Sequence, residues 1–130
     1  MALTPITEGL PADLTSQLVA DEIVYYYSYS ATVGGCLTKG KKYNEYIALT
    51  NKRFIYNTNI TNELENNNYL QRRGFIPIQN ISFMEVGTIS HGFRNSYLHV
   101  NTAGESIKII IPTEKKGGDI RNVFFELTNK

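Results

Sequence analysis

Alternation of side-chain character, repeated in separate stretches along the chain, limits its fold more than any other sequence feature. Successive residues of a β-strand point to opposite faces, so a period of two predicts a strand. The first such stretch, 22–33, is rich in the aromatic and β-branched residues that strands favour. It therefore predicts a long strand, with one face formed by Ile23, Tyr25, Tyr27 and Tyr29 and the other by Val24, Tyr26 and Ser28.

Two pairs of later extended stretches have the spacing of hairpins. The stretches 43–49 and 53–56 are separated by Thr-Asn-Lys, which suits a tight reversal because Asn tolerates turn conformations. The stretches 97–102 and 107–111 flank an Ala-Gly pair and alternate clearly. The sequence thus predicts two antiparallel hairpins.

The part of the chain between these hairpins is less regular. The segment 57–68 is polar and rich in Asn, which predicts a long connection. The extended segment 69–78 contains Pro77, which cannot donate a ladder hydrogen bond, so it predicts an edge strand or a bulge. A further strand is expected over 81–86, and 87–95, with two glycines, predicts a turn or irregular segment.

Two helices are expected, one near each end of the chain. Leucines at 10, 14 and 18 predict a short amphipathic helix over 11–20. Near the other end, Asp119 follows Gly117-Gly118 and is predicted as an N-cap, a structural role. The helix that it would begin carries one apolar stripe, formed by Ile120, Val123, Phe124 and Leu127. Seven strands and this helix predict a curved antiparallel sheet or barrel with the helix closing one end.

Composition narrows the classes of function. Thirteen basic and twelve acidic residues leave a net charge of +1, which is unlike a general nucleic-acid binder. The single Cys36 cannot form an internal disulfide, and with two histidines no zinc site has its usual four ligands. We therefore expect no metal, no cofactor and no nucleic-acid partner. The chain shows neither an export signal nor a membrane-spanning stretch, which predicts a cytoplasmic protein.

Two short motifs resemble those of the bacterial PH-like (pleckstrin-homology-like) domains. Residues 46–56 read YIALTNKRFIY and residues 76–81 read IPIQNI. The family typically carries an apolar-Leu-Thr-Asn-x-Arg hairpin and later an Ile-Pro-apolar-x-x-Ile run. With strand order and the final helix, the resemblance spans about 22–127. It implies a mainly β fold, a seven-stranded bent antiparallel barrel capped by a C-terminal helix. The PH-like domain would then cover 22–130, after an extension over 1–21 that holds the short N-terminal helix.

The resemblance also points to a candidate ligand site. In membrane-binding PH domains, basic residues of the loop between the first two strands hold a phosphorylated lipid head group. The matching loop here carries Lys39, Lys41 and Lys42 around Gly40. Clustered ammonium groups beside a glycine can approach a phosphate closely. The alternative is a set of solvated hairpin lysines, which are common.

The tyrosines of the first strand form a second candidate surface. Tyrosine is enriched at interfaces because it buries a large area and keeps a hydroxyl for hydrogen bonding. Tyr25, Tyr26, Tyr27 and Tyr29 therefore predict a partner-binding or self-association surface. The alternative is that the outer tyrosines lie under the N-terminal helix.

Three arginines have predicted placements. Arg53 follows the first hairpin turn and is expected to be structural, since a guanidinium there can bind loop carbonyls. Arg72 and Arg73 are adjacent on a strand and must point to opposite faces, so they cannot share one patch.

No catalytic motif accompanies these features. His91 and His99 belong to no recognisable nucleophile or metal motif, so no enzyme activity is predicted. The leading hypothesis is a non-catalytic protein-protein interaction or self-assembly module that uses a sheet edge or the tyrosine-bearing strand. The alternative is a peripheral module whose three loop lysines bind anionic lipid, and that binding would weaken at high salt.

Overall fold

The described part of the chain forms seven β-strands and two α-helices. In this computed structural model the described residues are 3–29, 46–61, 70–91, 93–104, 106–111 and 114–128. The strands are β1 (Val24–Tyr29), β2 (Tyr46–Thr50), β3 (Arg53–Thr61), β4 (Leu70–Pro77), β5 (Ile81–His91), β6 (Phe93–Thr102) and β7 (Ser106–Ile111). The helices are α1 (Ala12–Thr15) and α2 (Glu114–Thr128), and a 3₁₀ turn (Ile78–Asn80) joins β4 to β5.

All strand pairs are antiparallel, in the order β1-β2-β3-β7-β6-β5, with β4 on the other edge of β3. The long strand β3 joins the two halves, because Phe54 to Asn57 pair with β2 whereas Ile60 and Thr61 pair with β7. Within the described strands β1, β4 and β5 pair on one side only, so the barrel is open. The predicted mainly β fold with a C-terminal helix is confirmed.

The main core lies between the strands and α2. Its buried members include Leu49, Phe54, Leu98 and Ile109, with Ile120 and Phe124 from α2. The predicted apolar stripe of the helix is confirmed, since Val123 and Leu127 also pack against this cluster. Burying one continuous stripe fixes the helix across the open end of the sheet.

A second apolar cluster lies on the outer face of β1, β2 and β3. Its buried members are Leu14, Val24, Tyr46, Ala48 and Ile55, and Ile6, Leu10, Leu18 and Tyr27 pack against them. The predicted leucine repeat therefore faces the sheet. Its helix is shorter than predicted, since α1 covers only Ala12–Thr15.

Two strands extend further than the sequence predicts. Residues 57–61 continue β3 instead of starting a connection, because they pair with β4 or β7. Residues 87–91 likewise continue β5 along β6, so the expected irregular segment is wrong there. Gly87 is directly opposite Tyr97, whose ring occupies the space that a β-carbon would take. A cross-strand aromatic ring thus covers a glycine that appeared to be a strand breaker.

Two predicted local features are wrong for identifiable reasons. The register of β1 shifts between Val24 and Tyr26, and Val24 joins Tyr27 in the outer cluster. The bulge thus breaks the predicted alternation. Asp119 is not an N-cap, because α2 begins at Glu114. Gly117 lies inside the helix, where a β-carbon would stand 2.6 Å from Ile111 Cδ1 and 2.9 Å from Val86 Cγ1. Both glycines lie inside the helix instead of preceding it, and Gly117 permits close helix packing.

Candidate functional site

The predicted site residues that the structure describes do not converge on one site. Lys39, Lys41 and Lys42 lie outside the described residues, as does the Tyr29 side chain. Tyr25, Tyr26 and Tyr27 are each half-buried and are divided between surfaces. Tyr26 packs against the main core, whereas Tyr27 packs in the outer cluster with its ring centroid 6.2 Å from that of Tyr46. Burial raises the pKa of the Tyr26 hydroxyl, and the charge of Asp119 acts in the same direction.

A buried ion pair ties the N-terminal segment to the β2–β3 turn. Arg53 Nε donates to Glu22 Oε2 at 2.9 Å, and Arg53 Nη2 donates to Glu22 Oε1 at 3.0 Å. Nη2 also donates to the carbonyl oxygen of Gln17 at 2.6 Å. The guanidinium thus binds a carboxylate through two nitrogens and a loop carbonyl through one of them, which a lysine could not reproduce.

Glu22 is fully buried and accepts further hydrogen bonds. Thr50 Oγ1 donates to its Oε2 at 2.6 Å, and the backbone N–H of Val19 donates to its Oε1 at 3.0 Å. Burial alone would raise the pKa of this carboxyl, but the bonds from Arg53 and Thr50 outweigh it and hold the pKa below its ordinary value. Glu22 is therefore a charged junction between the N-terminal segment and the turn.

An exposed aromatic ring lies beside this ion pair. The Arg53 guanidinium carbon lies 4.6 Å from the centroid of the Phe75 ring, and 51% of Phe75 is exposed. Val19, which bonds Glu22 through its backbone, is 55% exposed, and Ile23, the residue after Glu22, is 39% exposed. These three residues are among five large apolar side chains exposed in the described regions.

Phe75 belongs to β4, which is an edge strand among the described strands. The N–H of Ile78 donates to the carbonyl of Lys52 at 2.9 Å, which fixes the ladder phase between β3 and β4. Because bonding directions alternate along a strand, Gly74 and Ile76 direct their backbone groups towards β3. Phe75, Arg73 and Gln71 direct theirs to the opposite edge, where no described strand pairs with β4. The prediction that 69–78 ends as an edge strand is confirmed.

A second polar junction holds α1 on the sheet. Tyr46 Oη donates to Asp13 Oδ2 at 2.6 Å, and Arg73 Nη2 forms an ion pair with Asp13 Oδ1. The bond from Tyr46, with help from Arg73, lowers the pKa of Asp13 despite partial burial. Burial and the same Asp13 contact raise the pKa of Tyr46. Arg72 is exposed on the opposite face of β4, so the two arginines separate as predicted.

His99 lies in a polar row on the outer face of the β5, β6 and β7 sheet. It is directly opposite Glu85 on one side and Lys108 on the other, and its Nδ1 lies 3.3 Å from Glu85 Oε1. His99 and Lys108 are buried there. Among the described residues, no group of His, Cys, Asp or Glu has the arrangement of a metal site.

Sequence reasoning missed the residues that form the surface around β4. One available signal was Phe75, a large aromatic residue two positions before Pro77 on a strand already predicted as an edge. Glu22 and Asp13 gave no such signal, because their partners Arg53 and Tyr46 are 31 and 33 positions away.

Comparison with known proteins supports the fold. No family model and no curated protein matches the chain. Among solved structures, it is similar to a pleckstrin homology domain from Shewanella amazonensis SB2B. That likeness has a TM-score of 0.54 and 15% sequence identity, and it covers 92% of this chain and 95% of the other. The chain therefore has the PH-like fold that its motifs predict. No helix in its described regions is long and apolar enough to cross a membrane.

Proposed function

We propose that this chain is a non-catalytic protein-interaction module that binds an extended segment of a protein partner along β4. The observation that carries the proposal is the one-sided pairing of β4 beside the exposed ring of Phe75. An extended segment can add to such an edge, with main-chain hydrogen bonds giving affinity and side-chain contacts giving specificity.

The groups along the open edge of β4 indicate what kind of segment it can bind. The outward backbone groups of Gln71, Arg73 and Phe75 supply donors and acceptors for an added strand. Pro77 has no N–H and ends the usable edge. An apolar side chain of the partner would lie against Phe75. Arg72 is exposed on the face opposite the Asp13–Arg73 pair, which favours a partner segment with an acidic residue on that face.

The test uses a displayed library of extended peptides, followed by anisotropy measurements with the selected sequences. Gln71→Pro removes an outward N–H without removing a bond to β3, and Phe75→Ser removes the exposed ring. Each substitution is expected to weaken binding at least tenfold. Phe125→Ser is the matched control, since Phe125 is 57% exposed on α2 and should leave affinity unchanged.

Hydrogen exchange on the bound complex gives an independent measurement. Binding should protect the amides of Gln71, Arg73 and Phe75 and leave β6 unaffected, because only an edge strand has free amides to offer. Unchanged affinity in both β4 variants would contradict the proposal. Flotation with anionic but not neutral vesicles, lost at high salt, would instead favour the lipid alternative.

A further inference from the structure

The N-terminal segment, residues 3–18, covers a surface that meets β4 at the Arg73 side chain but does not pair with its edge. It lies on the outer face of β1, β2 and β3, where Leu14 is completely buried. Its backbone donates one hydrogen bond to a described strand, from Ile6 N–H to the carbonyl of Val24 at 2.8 Å. The segment is therefore held mainly by side chains, through the outer cluster and the junction at Asp13.

The face beneath the segment is apolar and is covered in the closed monomer. Tyr46, Ala48, Ile55 and Val24 are all buried there, although they belong to the side of the sheet opposite the main core. Exposing such a continuous apolar face is unfavourable. If the segment leaves, the face is best covered by another segment that has leucines at the same spacing and an acidic residue equivalent to Asp13. A second copy of this chain supplies that replacement.

The connection between the segment and β1 is short and strained. Asp21 has a φ of 66°, the only positive φ of a non-glycine residue in the described regions. The turn around it is closed by a hydrogen bond from Glu22 N–H to the carbonyl of Val19 at 3.1 Å. A left-handed conformation is costly for a residue with a β-carbon, and an extended connection would remove the cost. Short strained hinges of this kind favour exchange of a terminal element between copies.

We propose that residues 3–18 exchange between two copies of this chain and form a swapped dimer. Each segment then lies on the outer face of the other copy, with the contacts of the closed monomer retained and Asp21 in an extended hinge. The exchange involves the outer face of the sheet and the Arg73 side chain, not the outward backbone groups of β4, so the proposal does not rest on the proposed function.

Two hinge substitutions test the proposal in opposite directions. Asp21→Pro cannot adopt the positive φ of the closed turn, so it should raise the dimer fraction at least tenfold. Asp21→Gly removes the strain without changing the chain path and should lower that fraction. Light scattering over a concentration series measures both against the unmodified chain. Equal dimer fractions in all three would overturn the proposal.

Reversing one charge of the Asp13–Arg73 pair tests whether this contact joins the two copies. In the Asp13→Arg variant two positive charges meet at the junction. In the Arg73→Asp variant two negative charges meet there. In a swapped heterodimer of these variants each segment meets an opposite charge. Unfolding the two together in urea and refolding them should give a roughly tenfold excess of heterodimer over either homodimer.

The matched controls separate this dimer from other association. The double variant Asp13→Arg with Arg73→Asp restores opposite charges within one chain and should give no preference for a heterodimer. Gln71→Pro blocks the β4 edge and should leave the swapped dimer intact. Loss of the dimer in Gln71→Pro, or no heterodimer preference, would overturn the exchange. If the single-charge variants fail to fold, as circular dichroism would show, the hinge pair decides the question alone.

Discussion

At the scale of single residues, the Glu22 carboxylate is the most demanding group in the structure. It is fully buried, and Arg53, Thr50 and the Val19 amide together satisfy it. A buried ion pair contributes little relative to well-packed apolar residues, yet the loss of one partner leaves an uncompensated charge. The pair thus fixes where the N-terminal segment joins the sheet rather than adding much stability.

Arg53→Met is therefore expected to destabilise the chain by about 3–5 kcal/mol. Combining it with Glu22→Leu should recover much of this loss, because no buried charge remains unpaired. Arg72→Met is the matched control on an exposed arginine and should change stability by less than about 0.5 kcal/mol. Urea unfolding measures all three variants. A mild effect of Arg53→Met alone would contradict a charged Glu22 at this site.

The same carboxylates predict how stability depends on pH. The pKa values of Glu22 and Asp13 are both lowered in the folded chain. Their contribution is complete above the ordinary value of 4.5 for Glu22 and is lost as pH falls through the lower folded values. Urea unfolding between about pH 7 and about pH 3 should show stability falling at the acid end. Glu22→Gln should make stability fall less between neutral and acid pH. An unchanged dependence of stability on pH would refute the contribution assigned to Glu22.

Single residues were partly predictable from sequence. The separation of Arg72 and Arg73 follows from strand geometry alone. The partners of Arg53 and Tyr46 could not be predicted in this way. Glu22 and Asp13 come from a segment whose position on the sheet has no local signal in the sequence. Their hydrogen bonds depend on tertiary packing between parts of the chain about thirty residues apart.

At the scale of elements, alternation located the seven strands but misplaced several ends. Gly87 appeared to end β5, yet the Tyr97 ring covers it and pairing continues to His91. Gly117 and Gly118 appeared to precede α2, yet both lie inside it. At Gly87 and Gly117, a neighbour that only the folded chain brings near occupies the space beside a glycine that weakens an isolated element.

The two helix glycines predict opposite responses to the same substitution. A β-carbon at Gly117 meets Ile111 and the stiff side chain of Val86, so Gly117→Ala should destabilise the chain by about 1–3 kcal/mol. Gly118 has nothing within 4 Å of that position, so Gly118→Ala should stabilise it by about 0.5–1 kcal/mol. Thermal unfolding compares them directly. Two equal shifts would show that α2 does not approach β5 and β7 this closely.

At the scale of the whole molecule, the chain has two apolar cores on opposite sides of one sheet. The main core contains no residue before Tyr26, whereas the outer cluster depends on Ile6, Leu10, Leu14 and Leu18. The PH-like fold accounts for the first core, and the N-terminal segment creates the second. The two cores should therefore respond differently to removal of that segment.

A chain that lacks residues 1–16 should keep its β-sheet and its cooperative unfolding, because the main core and the Glu22 contacts to Arg53 and Thr50 remain. It should lose several kcal/mol of stability, since burial of each large apolar side chain contributes about 1.5–3 kcal/mol. The uncovered face around Tyr46 and Ile55 should also bind the dye ANS. Circular dichroism, urea unfolding and dye fluorescence separate these effects.

Leu98→Ala is the contrasting control, because its cavity opens inside the main core and should destabilise the chain without creating a dye-binding face. An unfolded truncated chain would mean that the outer cluster is required for the barrel itself, and that residues 1–21 are part of the domain rather than an extension of it.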